Sequence, residues 1–122
     1  MKTALILFAH GSKDPLWHGP IQAIERRLMQ MQPNLTVRCA YLELTEPNLP
    51  DCVQNLADTG VRQIRILPLF LGMGRHARED LPQLVSDLQA KHPHIDFDVL
   101  PALGEDPRLT EVTCQIALKG WA

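Results

Sequence analysis

Two histidines and one glutamate stand where three apolar segments end. His10 follows the run from Ala4 to Ala9 within Ala9-His10-Gly11-Ser12-Lys13. Glu43 follows the segment from Leu35 in Tyr41-Leu42-Glu43, and His76 closes Gly72-Met73-Gly74-Arg75-His76. Neutral imidazole nitrogen and carboxylate oxygen together suit borderline divalent metals such as cobalt, nickel, iron or zinc. Imidazole also accepts a proton near neutral pH. Two or three such donors without a thiolate hold metal less tightly than a closed structural site, which suits a protein that passes the metal on. The competing reading is a pair of loop histidines bonded to backbone and a solvated glutamate.

These residues share a site only if the preceding segments lie side by side. Lys2 to Ala9 is apolar over most of its length, as a parallel strand covered on both faces requires. Asp14-Pro15 then resembles a helix cap with proline in the first turn. Trp17, Ile21, Ile24, Leu28 and Met31 follow at helical spacing. Leu35 to Tyr41 reads as a second strand. Leu49, Cys52, Val53, Leu56 and Ala57 form a second helical stripe that stops at Gly60. Val61 to Phe70 is a third strand. Leu81, Leu84, Val85 and Leu88 mark a third helix whose start is unsettled, because Pro82 is comfortable only in a first turn. Ile95, Phe97 and Val99 alternate with Asp96 and Asp98 in a short fourth strand. After Asp106-Pro107, Leu109, Val112 and Ile116 are expected to be the buried face of a last helix. The pattern βαβαβαβα predicts one α/β domain over residues 1–122, a mostly parallel four-stranded sheet with helices on both faces and right-handed crossovers.

In an open parallel sheet, ligands bind beyond the carboxyl ends of the strands. His10, Glu43 and His76 all arrive at that edge, from three different strands. Lys13, Arg75 and Arg78 stand near it and suit ligand carboxylates, although loop cations are also ordinary surface groups. Gly72-Met73-Gly74-Arg75-His76-Ala77 fits a G-x-G-x-x-A dinucleotide pattern, with Asp96 about 20 residues on, but it follows the third strand rather than opening a first βαβ unit. Its plain alternative is a turn whose glycines permit close backbone approach. Ser12 lies beside His10 without a G-x-S-x-G elbow, so its hydroxyl is assigned to turn or ligand hydrogen bonds. His92 and His94 fall at the opposite end of the sheet and read as solvated surface. His18, just inside the first helix, has no role assigned.

The composition narrows the classes. In 122 residues, 45% hydrophobic and 21% charged, a net charge of −2 offers no global field for nucleic acid or an anionic membrane. The run from Ala4 to Ala9 is far short of the roughly 18–20 residues of a membrane span, and it lacks the flanks of a signal peptide. Cys39, Cys52 and Cys114 are odd in number and without CxxC spacing. They indicate reduced thiols packed mainly as small apolar groups, hence a cytoplasmic protein.

Ala9-His10-Gly11-Ser12, with Leu67-Pro68-Leu69-Phe70-Leu71-Gly72, Gly74, His76 and Asp80-Leu81-Pro82, resembles the CbiX/SirB family of class II tetrapyrrole chelatases. These proteins insert a divalent metal into sirohydrochlorin. The similarity covers nearly the whole chain, and the length resembles the small, single-lobe CbiX form. The resemblance implies a chelatase-like fold related to the flavodoxin-like arrangement. It makes His10 and His76 the active-site histidines and Glu43 the metal-site acid. Ser12, Lys13, Gly74 and Arg75 are the contacts expected for the macrocycle and its peripheral acids. The resemblance further implies a homodimer, no ATP, no permanently bound cofactor, and Co2+ as metal substrate in cobalamin or sirohaem biosynthesis. The alternatives are Fe2+ or Ni2+ on the same macrocycle, or a non-catalytic metal or tetrapyrrole carrier. Lys13 departs from the arginine common in relatives, which keeps the charge and loses the bidentate fork.

Overall fold

The computed structural model describes residues 2–121, with the side chain of His76 outside the described set. Strands β1 (Thr3–Ala9), β2 (Thr36–Tyr41), β3 (Gln63–Pro68) and β4 (Asp96–Val99) form one sheet in the order β2-β1-β3-β4. Every neighbouring pair is parallel. The most continuously apolar strand, β1, takes a central place, where Ala4, Ile6, Leu7, Phe8 and Ala9 are all buried. The alternating strand, β4, takes the edge, where one face can meet water.

Helices α1 (Gly19–Met31), α2 (Leu49–Asp58), α3 (Arg75–Lys91) and α4 (Pro107–Ala117) follow the four strands. Short 3₁₀ turns at Pro15–His18 and Leu103–Glu105 precede α1 and α4. With this strand order, right-handed crossovers send α1 to one face and α2 and α3 to the other. The packing agrees. Ala4, Ile6, Phe8, Ala40, Ile64 and Ile66 pack with Leu49, Cys52, Val53 and Leu56 of α2 and with Leu81 and Leu88 of α3. On the opposite face, Ala9 and Tyr41 meet Ile21 of α1, flanked by Trp17, Cys39 and Leu69.

Several expectations need correction. The third helix starts at Arg75 and runs through Pro82, which sits in its interior. Proline there removes one ladder donor, and buried Leu81 and Leu88 hold the helix to the sheet on either side of it. The α1 stripe is buried only at Ile21, while Ile24 and Met31 are exposed, because α1 covers the sheet mainly along β2. Cys114 is exposed rather than packed. The largest difference concerns α4. Its Leu109 is half-buried, but Val112 is 47% exposed and Ile116 70%, so its apolar stripe is not a buried face. Among the described residues the helix packs chiefly on the Leu103–Glu105 turn rather than on the sheet.

Candidate metal and proton-transfer site

At the carboxyl end of β1 and β2 the ladder continues beyond the strands. Leu42 N–H donates to Ala9 O (2.9 Å) and Glu43 N–H to His10 O (3.0 Å). Two adjacent loops are thereby held in register, and their side chains meet. His10 Nε2 lies 3.2 Å from Glu43 Oε1, with the side chains 53% and 54% exposed.

Three features fix this approach. Gly11 has φ +102°, and a Cβ there would run into the Glu43 carbonyl oxygen. Only glycine combines that backbone conformation with that proximity. Leu44 takes φ +64°, unusual for a branched residue, and lets Thr45 N–H close back on Glu43 O at 2.8 Å. The Thr45 hydroxyl then accepts from Ser12 N–H (3.0 Å) and donates to Ser12 O (2.8 Å), tying the second loop to the first. His18 Nε2 also contacts Ser12 O at 2.8 Å, so the residue left without a role braces the first loop. The Ser12 hydroxyl accepts from Asp14 N–H (3.0 Å), which is a turn contact rather than a nucleophile's.

The His10 ring has two possible protonation patterns with different consequences. When Nδ1 donates to Gly11 O, 3.3 Å away, the Nε2 lone pair faces a carboxylate oxygen. Two acceptors so close require a shared proton or a cation. When Nε2 carries hydrogen it donates to Glu43. The pair therefore suits a divalent metal or a proton, on an open edge that a large ligand can reach.

Further back on β2, Cys39 Sγ donates to Glu25 Oε2 of α1 at 3.4 Å. Burial, with Glu25 nearby, pushes the Cys39 thiol up to about 12. Burial and Cys39 push Tyr41 up to about 12 as well. Both remain protonated at neutral pH, so no thiolate joins the donor pair.

The loop after β3 is built differently. Leu71 is 80% exposed. Gly72 and Gly74 have open space where a Cβ would stand. Gly74 is the residue before α3, and no side chain caps that helix start. Arg75 Nε donates to Glu79 Oε1 at 3.2 Å on the exposed helix surface. The backbone of His76 lies in the first turn of α3, and its predicted ligand role falls on a side chain outside the described residues. Among the described residues, no three His, Cys, Asp or Glu side chains form a metal cluster. Lys13 is exposed on the first loop.

Sequence reasoning missed the apolar surroundings. Leu16, Leu42, Leu44 and Leu71 are exposed, the last three on the loops at this edge. A cavity of about 290 Å³ lies beside the Glu43 loop, lined by Phe8, Leu42, Phe70, Met73 and Leu81. For the loop leucines the only signal was position beyond strand ends, whereas Phe8 and Leu81 belong to β1 and α3. The dinucleotide reading fails on topology, since Asp96 opens β4 at the amino end of the sheet, opposite the glycines. His94 is exposed at that end, while His92 is half-buried, with Nε2 enclosed and without a partner among the described residues.

The fold and the donor pair define a doubly wound α/β lobe with imidazole and carboxylate at the carboxyl edge of a parallel sheet. Its family follows from comparison. The CbiX family profile matches residues 4–118, and the chain belongs to that family. It is 29% identical over 129 residues to the sirohydrochlorin cobaltochelatase of Methanopyrus kandleri, covering 89% of this chain and 90% of that protein. It is 32% identical over 85 residues to the sirohydrochlorin cobaltochelatase of Methanosarcina acetivorans, covering 70% of this chain and 65% of the relative. A crystal structure of a CbiX protein from Marinobacter aquaeolei VT8 superposes with TM-score 0.82 at 32% identity, over 96% of this chain and 95% of the other. SirB from Bacillus subtilis subspecies spizizenii, in complex with cobalt, shares the fold with TM-score 0.80 at 21% identity. That match covers 98% of this chain and 51% of SirB, so this chain spans about half the SirB length.

Proposed function

We propose that this protein inserts a divalent metal, Co2+ foremost, into sirohydrochlorin without ATP, as a cytoplasmic homodimer serving cobalamin or sirohaem biosynthesis. The observation that carries the reading is the His10–Glu43 pair, 3.2 Å apart on an exposed edge. The cobaltochelatase relatives support the substrate and the metal. Iron is the second metal reading, supported by a SirB structure with Fe3+. Three cysteines without a disulfide are consistent with a reducing compartment. Among the described residues, no helix is long and apolar enough to cross a membrane.

In this reading His10 and Glu43, with His76 from the third loop, hold the metal loosely at the edge. The macrocycle lies against Leu42 and Leu71, its peripheral carboxylates near Lys13, Ser12, Arg75 and the amides at the Gly74 end of α3. Metalation releases two pyrrolic protons as the ring takes the dication. His10 accepts one and Glu43 or water the other, which balances charge.

The test is anaerobic mixing of protein, sirohydrochlorin and Co2+, followed by macrocycle absorption against a protein-free control. Acceleration is expected, and loss of at least about 100-fold in His10→Ala with His76→Ala. A rate equal to the control removes the enzyme reading. Acceleration that survives both substitutions removes the site. Acidification lowers the rate, because an imidazolium neither binds metal nor takes a proton. A rate rising toward acid would contradict that role for His10.

A further inference from the structure

His18 stands outside the donor pair yet is held from three sides. Its Nε2 lies 2.8 Å from Ser12 O. A carbonyl oxygen only accepts, so this nitrogen carries the hydrogen and donates. The ring meets Trp17 edge to face, 5.0 Å between centroids and 85° between planes, and Tyr41 likewise at 5.3 Å and 82°. Contacts of this kind favour one ring orientation over others. Local chemistry delivers the residue to this place. Asp14 Oδ1 accepts from Leu16 N–H at 3.0 Å and caps the Pro15–His18 turn, and Trp17 N–H donates to Asp14 O at 3.1 Å.

The carbonyl that His18 grips sits at a sensitive point. Ser12 is two residues beyond His10, and the joint between them is Gly11, at φ +102°. Chain beyond a glycine turns easily unless it is fastened. The Ser12 oxygen is fastened twice, by the Thr45 hydroxyl at 2.8 Å and by His18 at 2.8 Å, which occupies both of its lone pairs. The Ser12 N–H shares a peptide plane with Gly11 O, and it donates to Thr45 Oγ1 at 3.0 Å. Gly11 O in turn lies 3.3 Å from His10 Nδ1, and His10 Nε2 lies 3.2 Å from Glu43 Oε1. A continuous path of contacts therefore runs from the His18 ring to the outer nitrogen of His10. Thr45 ties Ser12 to the second loop. His18 ties the same residue to the start of α1 and, through Tyr41, to the segment that reaches Glu43 two residues later.

We propose that His18 is a positioning residue for metal capture. Donating to Ser12 O from a ring set against Trp17 and Tyr41, it holds the Gly11–Ser12 peptide in place. The Gly11 carbonyl then accepts from His10 Nδ1–H and leaves the Nε2 lone pair facing Glu43. This role rests on the reading of His10 and Glu43 as donors to the metal, and adds what sets their aim. Partners one step removed from a ligating imidazole fix its tautomer and ring orientation, and their loss commonly costs about 10–100-fold in metal affinity.

The test uses the full-length protein and Co2+ alone, without macrocycle, titrated anaerobically and read by the visible absorption of the bound ion. His18→Phe keeps a ring against Trp17 and Tyr41 and removes the donor, whereas His18→Gln keeps an N–H donor. His18→Phe should weaken Co2+ binding by about 10-fold with the denaturant midpoint unchanged, and His18→Gln should bind within about threefold of wild type. Wild-type affinity in His18→Phe overturns the proposal. A Gln variant as weak as the Phe variant also overturns it, since ring packing and not the donated bond then matters. The imidazole nitrogen NMR spectrum of the wild type, recorded above neutrality where the rings are uncharged, tests the same point without a variant. Hydrogen on Nε2 of His18 and on Nδ1 of His10 is expected, and either ring in the opposite tautomer overturns the proposal. Metalation is assayed separately. Co2+ affinity that follows His18 in a protein that does not accelerate metalation removes the proposed function and leaves the positioning role standing. Equal acceleration at equal half-saturating Co2+ in wild type and His18→Phe removes the positioning role alone.

Discussion

The two halves of the carboxyl edge are made in contrasting ways. Between β1 and β2 the loops are pinned by continued ladder bonds, by the Thr45 hydroxyl and by the contact of Gly11 with the Glu43 carbonyl. After β3 the loop is tied at its start, by Leu69 N–H to Phe8 O and Gly104 N–H to Phe70 O, while Gly72 and Gly74 beyond it are exposed and have room for a side chain. The first half fixes one donor pair to a narrow geometry. The second presents backbone and leucine to whatever arrives. A site that must grip an ion and also admit a large flat ligand needs both kinds of support, a rigid one for the donors and an accessible one for the ligand.

Gly11→Ala should break the contrast most severely. The added Cβ meets backbone that cannot swing aside, at a φ that alanine rarely adopts. A stability loss of about 2 kcal/mol or more in denaturant unfolding is expected, with metalation down at least about 100-fold. Wild-type activity in this variant would show that the approach of the two loops does not matter. Thr45→Val is intermediate. It removes both hydroxyl bonds to Ser12 at nearly constant volume, so a cost of about 1–2 kcal/mol is expected by the same measurement. Because Glu43 keeps its ladder bond, the rate should fall less than in Gly11→Ala. Gly74→Ala is the smallest. Its Cβ meets open space, so unfolding should change by only a few tenths of a kcal/mol and the rate by less than about threefold. A large effect there would mean that the ligand packs on the Gly74 Cα itself, closer than a carboxylate bonded to the amides of that helix end, which would sharpen the account of the third loop.

The α2 and α4 helices show what local signals convey. Each opens with an Asx cap and proline in the first turn, Asn48 with Pro50 and Asp106 with Pro107, and each carries an apolar stripe. Both were legible as helices. Their surroundings were not, because the stripe states that a face wants cover without stating which surface provides it. Cys52, Val53 and Leu56 found the sheet, while Val112 and Ile116 found solvent in the single chain. Pro82 shows the reverse error: a local penalty suggested a boundary, and burial of Leu81 and Leu88 carried the helix through it.

From the sequence alone came the element order, the parallel class and the delivery of His10, Glu43 and the His76 segment to one edge, since apolar period and cap chemistry are local and strand ends follow from them. Only the folded molecule decided that His10 and Glu43 touch, that Gly11 and Gly104 leave no room for a Cβ, that His18 and Thr45 hold the first loop, and that the α4 stripe lies exposed. Those outcomes depend on distances between segments far apart along the chain. Such distances are set by register and crossover hand, and no window of neighbouring residues contains them.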